Sequence, residues 1–177
     1  MSDRSGQARG LTTFVPITPG EETALHEHVR ALPRGTASPL ARSTRTHVAR
    51  WVIIDRLPTR CVPRPDRLRR HQLLFSASFD GEETSYLTEL TRLLGDEVPA
   101  IWGHCVGFPG AADVERFVSW LLEHRVRNSF FFSAYPRATV HDVRNALAAR
   151  DQALAFALRA QDLDPPARLR AFREAFP

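Results

Sequence analysis

Residues 47–55 read HVARWVIID, and this run of β-branched and aromatic residues predicts a central β-strand. Successive side chains of a strand point to opposite faces of the sheet. One face would carry His47, Ala49, Trp51 and Ile53, and the other Val48, Arg50, Val52 and Ile54. Because apolar residues lie on both faces, we expect helices on one face and a second cover, such as another copy of the sheet, on the other.

Three shorter runs of the same kind predict three more strands, at residues 11–17, 73–79 and 129–135. Apolar residues at helical spacing predict helices at 21–32, 82–94, 113–122 and 140–161. The buried side of the last helix would carry Val140, Val143, Leu147, Leu154 and Leu158. The order β-α-β-β-α-(α)-β-α predicts an α+β fold of ferredoxin-like βαββαβ topology, an antiparallel sheet with helices on one face.

The chain is predicted to hold one domain with two extensions. Residues 1–10 have the polar composition of a flexible leader, 11–161 form the domain, and 162–177 form a tail helix. Residues 56–71 are predicted to be a long loop, rich in proline and arginine. Its five arginines, at 60, 64, 67, 69 and 70, would be solvated, or the loop would gate a pocket.

Composition excludes several classes of protein. With 43% hydrophobic residues the chain can build a core, and no stretch approaches the ~20 apolar residues of a membrane span. All 24 basic residues are arginine, but a net charge of +4 is too modest to indicate nucleic-acid binding. Two cysteines, Cys61 and Cys105, make no disulfide framework, and we see no secretory signal, so we expect a cytoplasmic protein. Cys61, among arginines, is either a reactive thiol or an ordinary surface residue.

Four blocks of sequence resemble a poorly characterised bacterial and fungal group of ferredoxin-like, dimeric α+β barrel domains. The blocks are residues 47–55, 74–81, 100–109 and 132–140. Members of that group often look like parts of longer chains of peroxidase or catalase type, which implies an oxidative function. A more distant likeness is to dye-decolorising peroxidases, whose haem motif ends in Asp-Gly, as Asp80-Gly81 does here. This chain departs from that motif at Ala77, where the motif has glycine, and is about half the expected size.

His104 is the first candidate for chemistry. It lies with Trp102, Cys105 and Phe108 in a glycine-rich apolar segment, where a neutral imidazole could ligate haem iron or move a proton. His104 is therefore the predicted metal ligand, and Trp102 and Phe108 are the predicted flanks of the haem. The alternative is a histidine whose hydrogen bond to the backbone holds the loop. No second Cys/His pair stands at zinc spacing.

A second group of candidates comprises His47, Arg50, Asp80 and Tyr135, as catalytic residues. Arg50 could bind a carboxylate or polarise bound peroxide, or form a salt bridge at the strand end. His47 and Arg50 share a face only if a β-bulge intervenes. Asp80 is either a pocket acid or base, or the N-cap of the next helix. Ser76 and Ser78 alternate with apolar residues and could line a polar spot.

Three functions follow from these observations. The first is an oxidoreductase acting on an apolar small molecule, with haem on His104. The second is a cofactor-free enzyme of the dimeric α+β barrel type, using His47, Arg50, His104 and Tyr135 as its acid, base and binding groups. The third is an accessory module that forms a homodimer, or binds another partner, through its free sheet face or tail helix.

Overall fold

The computed structural model describes residues 4–57 and 66–176. Its strands are β1 (Arg4–Ser5), β2 (Ala8–Pro16), β3 (Thr46–Leu57) and β4 (Asp66–Asp80). Its helices are α1 (Glu22–Ala31), α2 (Glu83–Leu94), α3 (Glu97–Trp102), α4 (Val114–Glu123), α5 (Val140–Ala160) and α6 (Pro165–Ala175), with 3-10 turns at Gly35–Ala37 and Pro39–Arg42. The predictions for Arg60, Cys61 and Arg64 lie outside the described residues.

The predicted α+β class is confirmed by a four-stranded antiparallel sheet of order β1-β2-β4-β3. The prediction that residues 47–55 form the central strand was wrong, because β3 lies at the edge and β4 lies between β2 and β3. The β-branched composition of residues 47–55 suggested a buried strand, but Val48 and Val52 of β3 are exposed. Strand β4 is the one buried on one face, through Leu73, Phe75, Ala77 and Phe79.

The prediction of a loop over residues 56–71 was also wrong at both ends. Strand β3 continues to Leu57 and β4 begins at Asp66, so that Arg56 pairs with Arg67 in the antiparallel ladder. Ladder pairing depends on backbone groups, which arginine supplies as well as valine does. Arg67, Arg69 and Arg70 therefore belong to a strand.

The predicted strand at 129–135 does not form, and those residues are irregular. The chain instead touches the outer edge of β2 just before that segment. Thr13 and Arg125 form an isolated bridge, Val126 N donates to Thr12 O (2.8 Å), and Phe14 N donates to His124 O (2.9 Å). A single bridge at Arg125 therefore stands in place of the predicted strand.

Two further segments cover the same edge of β2. Residues 104–106 pair with its far end, where Ile17 and Cys105 form a bridge. Strand β1 pairs with its near end after a turn at Gly6, whose φ of 63° suits glycine. Residues 4–10 are thus strand and turn, so the predicted leader was wrong over this stretch, because β2 begins at Ala8 and offers β1 an open edge.

The core lies between one face of the sheet and helices α1 to α4. Each helix contributes buried apolar side chains, among them Leu25, Leu90, Ile101 and Phe117. Several helix ends are capped as their sequences predict. Asp113 accepts from Arg116 N (3.0 Å), and Thr139 forms a capping box with Asp142 that starts α5.

By contacts the chain divides into two compact units, Met1–Arg137 and Ala138–Pro177, rather than at residue 161 as predicted. The second unit consists of α5 and α6, whose contact contains the rings of Phe156, Phe172 and Phe176. The predicted buried side of α5 was wrong for four of its five residues, because α6 does not cover that stripe: Val143, Leu147, Leu154 and Leu158 are exposed. None of the described helices is long and apolar enough to cross a membrane.

Candidate ligand site on the open sheet face

The face of the sheet opposite the helices carries a cavity of about 320 Å³. Strands β2, β3 and β4 form its floor, and residues 128–131 form one wall. We call this face the open face. The side chains and backbone that line the cavity belong to Gly10, Leu11, Thr12, Val48, Arg50, Ser76, Ala77, Ser78, Asn128, Phe130 and Phe131.

The wall approaches the floor closely at Gly10. A Cβ atom on Gly10 would lie 2.7 Å from the Phe131 ring, so only glycine leaves room for that ring. Asn128 ties the wall down, because its Nδ2 donates to Gly10 O (3.4 Å) and its Oδ1 accepts from Thr12 Oγ1 (3.4 Å). Sequence reasoning missed both residues, since neither glycine nor asparagine in these contexts carries a distinctive pattern.

Arg50 extends from the edge strand into this cavity. It lies opposite Ser76 in the β3–β4 ladder and is exposed. Other arginines of this unit are neutralised, as Arg125 is by Glu83 (2.8 Å) and Arg45 by Glu89 (3.1 Å). Within the described part of the chain Arg50 has no ion-pair partner, so the predicted strand-end salt bridge is not formed there.

Strand β3 contains a bulge at His47, the feature that the prediction required for His47 and Arg50 to share a face. The ladder pairs Thr46 with Phe79 and then Val48 with Ser78, which leaves His47 as the extra residue. Its Nε2 lies 2.8 Å from Asp80 Oδ1. By the alternation of β4, Asp80 continues the row of Ser76 and Ser78, so the imidazole–carboxylate pair lies one position beyond the cavity floor.

Asp80 is not the N-cap of α2. That position is Glu82, whose carboxylate accepts from Thr84 N (2.9 Å) and Ser85 N (2.7 Å). These two backbone hydrogen bonds are the main reason that the pKa of Glu82 is lowered. Since Glu82 caps α2, Asp80 does not serve as the cap, and its buried carboxylate contacts His47.

A polar network behind the sheet holds the bulge in place. Arg45 Nε donates to Asp80 O (2.9 Å), and Asp80 N donates to Arg45 O (2.9 Å). The Thr46 hydroxyl lies 3.0 Å from Tyr86 Oη, and the Tyr86 ring stacks on Phe79 at 3.9 Å. Burial raises the pKa of Tyr86 to about 12, so it keeps its proton at neutral pH. Sequence reasoning did not identify these residues as supports.

His104 occupies a different environment from the predicted apolar pocket. Its Nδ1 lies 2.7 Å from Glu21 Oε2, and its backbone oxygen accepts from Thr18 N (2.9 Å). The side chain is partly exposed. These contacts join the loop after α3 to the start of α1, as the loop-holding alternative expected, although the acceptor is a carboxylate.

Of the predicted flanks of a haem, Trp102 lies in the core and Phe108 is partly buried against it. Trp102 is 1% exposed and packs edge-on against Trp51, Phe75 and Phe117 at 5.4–6.0 Å between ring centres. Because protein rings occupy its surroundings while His104 bonds Glu21, these residues do not fit a haem ligated by His104. Haem binding stays a prediction.

The remaining candidates lie away from the cavity. Tyr135 is 74% exposed and is not among the residues that line it. Cys105 is buried, and burial raises the pKa of its thiol to about 12, so it is not a nucleophile at neutral pH. In the described ranges, no three His, Cys, Asp or Glu side chains are placed to hold a metal ion.

Comparisons with protein-family models, with curated proteins and with solved structures find no match to this chain. The resemblance to ferredoxin-like domains of peroxidase-associated proteins therefore stays a prediction. Of the four predicted catalytic residues, His47 and Asp80 contact each other and Arg50 lines the cavity on the open face, whereas Tyr135 does neither.

Proposed function

We propose that this chain is a small-molecule enzyme that transfers a proton on the open face and needs no group beyond its own side chains. This is the second of the three functions that the sequence suggests. The observation that supports it best is the pair of His47 and Asp80 at the bulge of β3, where Asp80 follows Ser78 of the cavity floor by two residues along β4. The predicted haem oxidoreductase has no comparable support from the contacts of His104.

The chemistry follows from the partners of His47. An ionised carboxylate only accepts hydrogen bonds, so His47 Nε2 carries the proton and donates it to Asp80 Oδ1. The lone pair is then on Nδ1, which makes no hydrogen bond to any described residue. His47 takes a proton from the substrate at Nδ1, and Asp80 stabilises the imidazolium and fixes the ring. Asp80 is therefore a positioning residue.

We also propose a ferredoxin-like ancestry for the first unit. The long strands β2, β3 and β4 are its first, second and third, and their order in space is first-third-second. The bridge between Thr13 and Arg125 stands where the fourth strand of that fold would pair, antiparallel to the first. What departs from the fold is the length of that last strand.

The test measures proton exchange into D₂O at the acidic C–H of a panel of small carbonyl compounds, such as phenylpyruvate and phenylacetone, by NMR. The wild-type chain should accelerate exchange of at least one member. His47→Gln should lower the rate about 100-fold, the scale of general acid–base catalysis. His104→Gln is the matched control and should change the rate less than twofold. Exchange at the buffer rate across the panel would contradict the proposal.

One observation favours a second candidate function, an accessory module that pairs with a second copy of itself. The exposed apolar residues of α5, Val143, Leu147, Leu154 and Leu158, are spaced by 4, 7 and 4 residues. The spacing is the same in both directions, so two antiparallel copies of α5 would place Leu147 against Leu154 and Val143 against Leu158. At the centre, Arg150 is paired with Asp151 (2.7 Å), so the charge there is balanced.

Sedimentation velocity tests this second candidate. The wild-type chain should sediment as a dimer at micromolar concentration, and Leu147→Glu combined with Leu154→Glu should give a monomer. Ala149→Glu is a control, because it lies about 200° around the helix from Leu147 and is also exposed. Weak interfaces form at concentrations on the order of 100 μM. A wild-type chain that is still monomeric at about that concentration would exclude this function.

A further inference from the structure

We infer that the ligand of the open face is a small carboxylate with an apolar ring, whose carboxylate Arg50 binds. This inference rests on the proposed function, since it names the class of molecule on which His47 would act. It is carried by a separate set of residues: the guanidinium, hydroxyl and amide groups of the cavity floor and the aromatic residues of its wall.

Of the described residues that line the cavity, one is positively charged and none is negatively charged. Arg50 is the only ionisable residue among those that line it, and in the described part of the chain no carboxylate is paired with it. On the floor, the hydroxyls of Ser76 and Ser78 can donate a hydrogen bond, whereas the Thr12 hydroxyl already donates to Asn128 Oδ1. An anion would give Arg50 the ion-pair partner that it lacks among the described residues.

The geometry of arginine favours a flat anion with two oxygens. Guanidinium presents parallel N–H groups that match a carboxylate in a bidentate pair. Arg50 and Ser76 are opposite each other in the β3–β4 ladder, so the hydroxyl is within reach of the same oxygens. Phosphate could satisfy the same donors, and the experiment below separates the two.

Apolar side chains also line the cavity. Phe130 is 82% exposed and Val48 is 66% exposed, and the Phe131 ring lies against Gly10 beside them. Large apolar side chains exposed at the rim of a cavity are typical of binding sites. An aromatic or branched aliphatic group of the ligand would cover Phe130 and Val48 while its carboxylate faces Arg50.

The size of the cavity limits the ligand. A volume of about 320 Å³ is at the lower end of the range for small-molecule sites. It suits a ligand of about ten to fifteen non-hydrogen atoms, such as an arylalkanoate, better than a dinucleotide or a macrocycle.

The experiment compares three probes: 3-phenylpropanoate, its neutral amide 3-phenylpropanamide, and inorganic phosphate. Binding is followed by amide chemical shifts of the ¹⁵N-labelled full chain and by calorimetry. We expect the carboxylate to bind at least tenfold more tightly than the amide and phosphate, with shifts at residues 10–12, 48–50 and 76–78. Raising the salt from about 50 to 500 mM should weaken only the anions.

Two variants remove the same charge from β3. Arg50→Gln should make the carboxylate bind no better than the amide, whereas Arg56→Gln, whose side chain is already paired with Asp55 (3.2 Å), should change nothing. Both sites are exposed, so both variants should fold.

Each other outcome is decisive. Equal binding of carboxylate and amide in the wild-type chain would overturn the role of Arg50 and leave the proposed site standing. Phosphate binding as tight as that of 3-phenylpropanoate would overturn the apolar half of the inference. Absence of shifts on the open face with every probe, together with exchange at the buffer rate, would overturn both the inference and the proposed function.

Discussion

The protein contains two histidine–carboxylate pairs of nearly equal length in very different surroundings. His47 and Asp80 are 2.8 Å apart, and His104 and Glu21 are 2.7 Å apart. In the first pair the carboxylate is buried, and by the alternation of β4 it continues the row of Ser76 and Ser78, which line the cavity that Arg50 enters. In the second the carboxylate is half-exposed, and the pair joins a loop to the start of a helix.

The difference shows that a short histidine–carboxylate distance does not identify a catalytic pair. What separates them is the burial of the carboxylate and the groups around the pair. The apolar neighbours of His104 in sequence, Trp102 and Cys105, point into the core, while His104 itself points to Glu21. The following predictions test this division between a structural region around His104 and a functional region around His47.

The largest expected effect is on stability, in the region around His104. Trp102→Ala removes a fully buried ring and should lower the free energy of unfolding by about 3–5 kcal/mol in urea denaturation. Trp102→Phe should cost much less, because Trp102 Nε1 donates no hydrogen bond to the described residues. A Trp102→Ala chain that kept its stability but lost ligand binding would show that the region around His104 is functional and not structural.

The next effect is on rate, in the region around His47. Asp80→Asn should lower kcat of the exchange reaction about tenfold and leave KM unchanged, because it removes the charge that stabilises the imidazolium without touching the ligand. Glu21→Gln makes the same change in the other pair and should leave both constants unchanged. A rise in KM with constant kcat would show that Asp80 contacts the ligand instead.

A smaller effect is expected from narrowing the cavity. Gly10→Ala puts a methyl group 2.7 Å from the Phe131 ring, so the wall must shift. We expect a loss of about 1–2 kcal/mol of stability, as for overpacked sites, with several-fold weaker binding of 3-phenylpropanoate. The backbone conformation at Gly10 is extended, so strain at φ is not involved. Unchanged binding would remove residues 128–131 from the site.

The smallest effect concerns the two helix starts beside the pairs. Glu82 caps α2 through two backbone hydrogen bonds, whereas Glu21 at the start of α1 makes no capping bond and turns to His104. Glu82→Ala should cost about 1 kcal/mol at pH 7, and Glu21→Ala about half of that.

The pH dependence of these two variants should also differ. Since the pKa of Glu82 is lowered in the folded chain, its contribution is present above its ordinary pKa and is lost as the pH falls through the folded pKa. The difference between wild type and Glu82→Ala in urea denaturation should therefore shrink below about pH 4. A constant difference down to pH 2.5 would show that the charge of Glu82 is irrelevant to the cap.

Much of the fold could be predicted from periodicity, because helices and strands show their buried faces in sequence. Three long strands and the helices that cover them lie near their predicted positions. Periodicity does not show which other element a strand or helix packs against. It gave no reason to place β3 at the edge, and it predicted a buried stripe on α5 that the structure leaves exposed.

The site could be predicted only in part, for a comparable reason. His47, Arg50 and Asp80 were named from residue type and strand position, but their common face depends on one inserted residue in the β3–β4 ladder. A bulge changes the pairing of a strand without changing its composition. The sequence therefore indicates only that His47 and Arg50 would need a bulge to share a face. The contributions of Arg45 and Gly10 come from contacts between distant segments, which a single sequence does not reveal.

The outer edge of β2 is covered by separate short segments, and this arrangement has a consequence for how the chain folds. Residues 8–9 pair with β1, which is only a few positions away in the sequence. Residues 12–18 instead contact segments about 90 to 110 positions away. Contacts that close such long intervals form late and slowly. Until residues 104–106 and 124–126 are in place, β2 offers unpaired backbone to any other strand, so the half-folded chain is more prone to aggregate than the finished one.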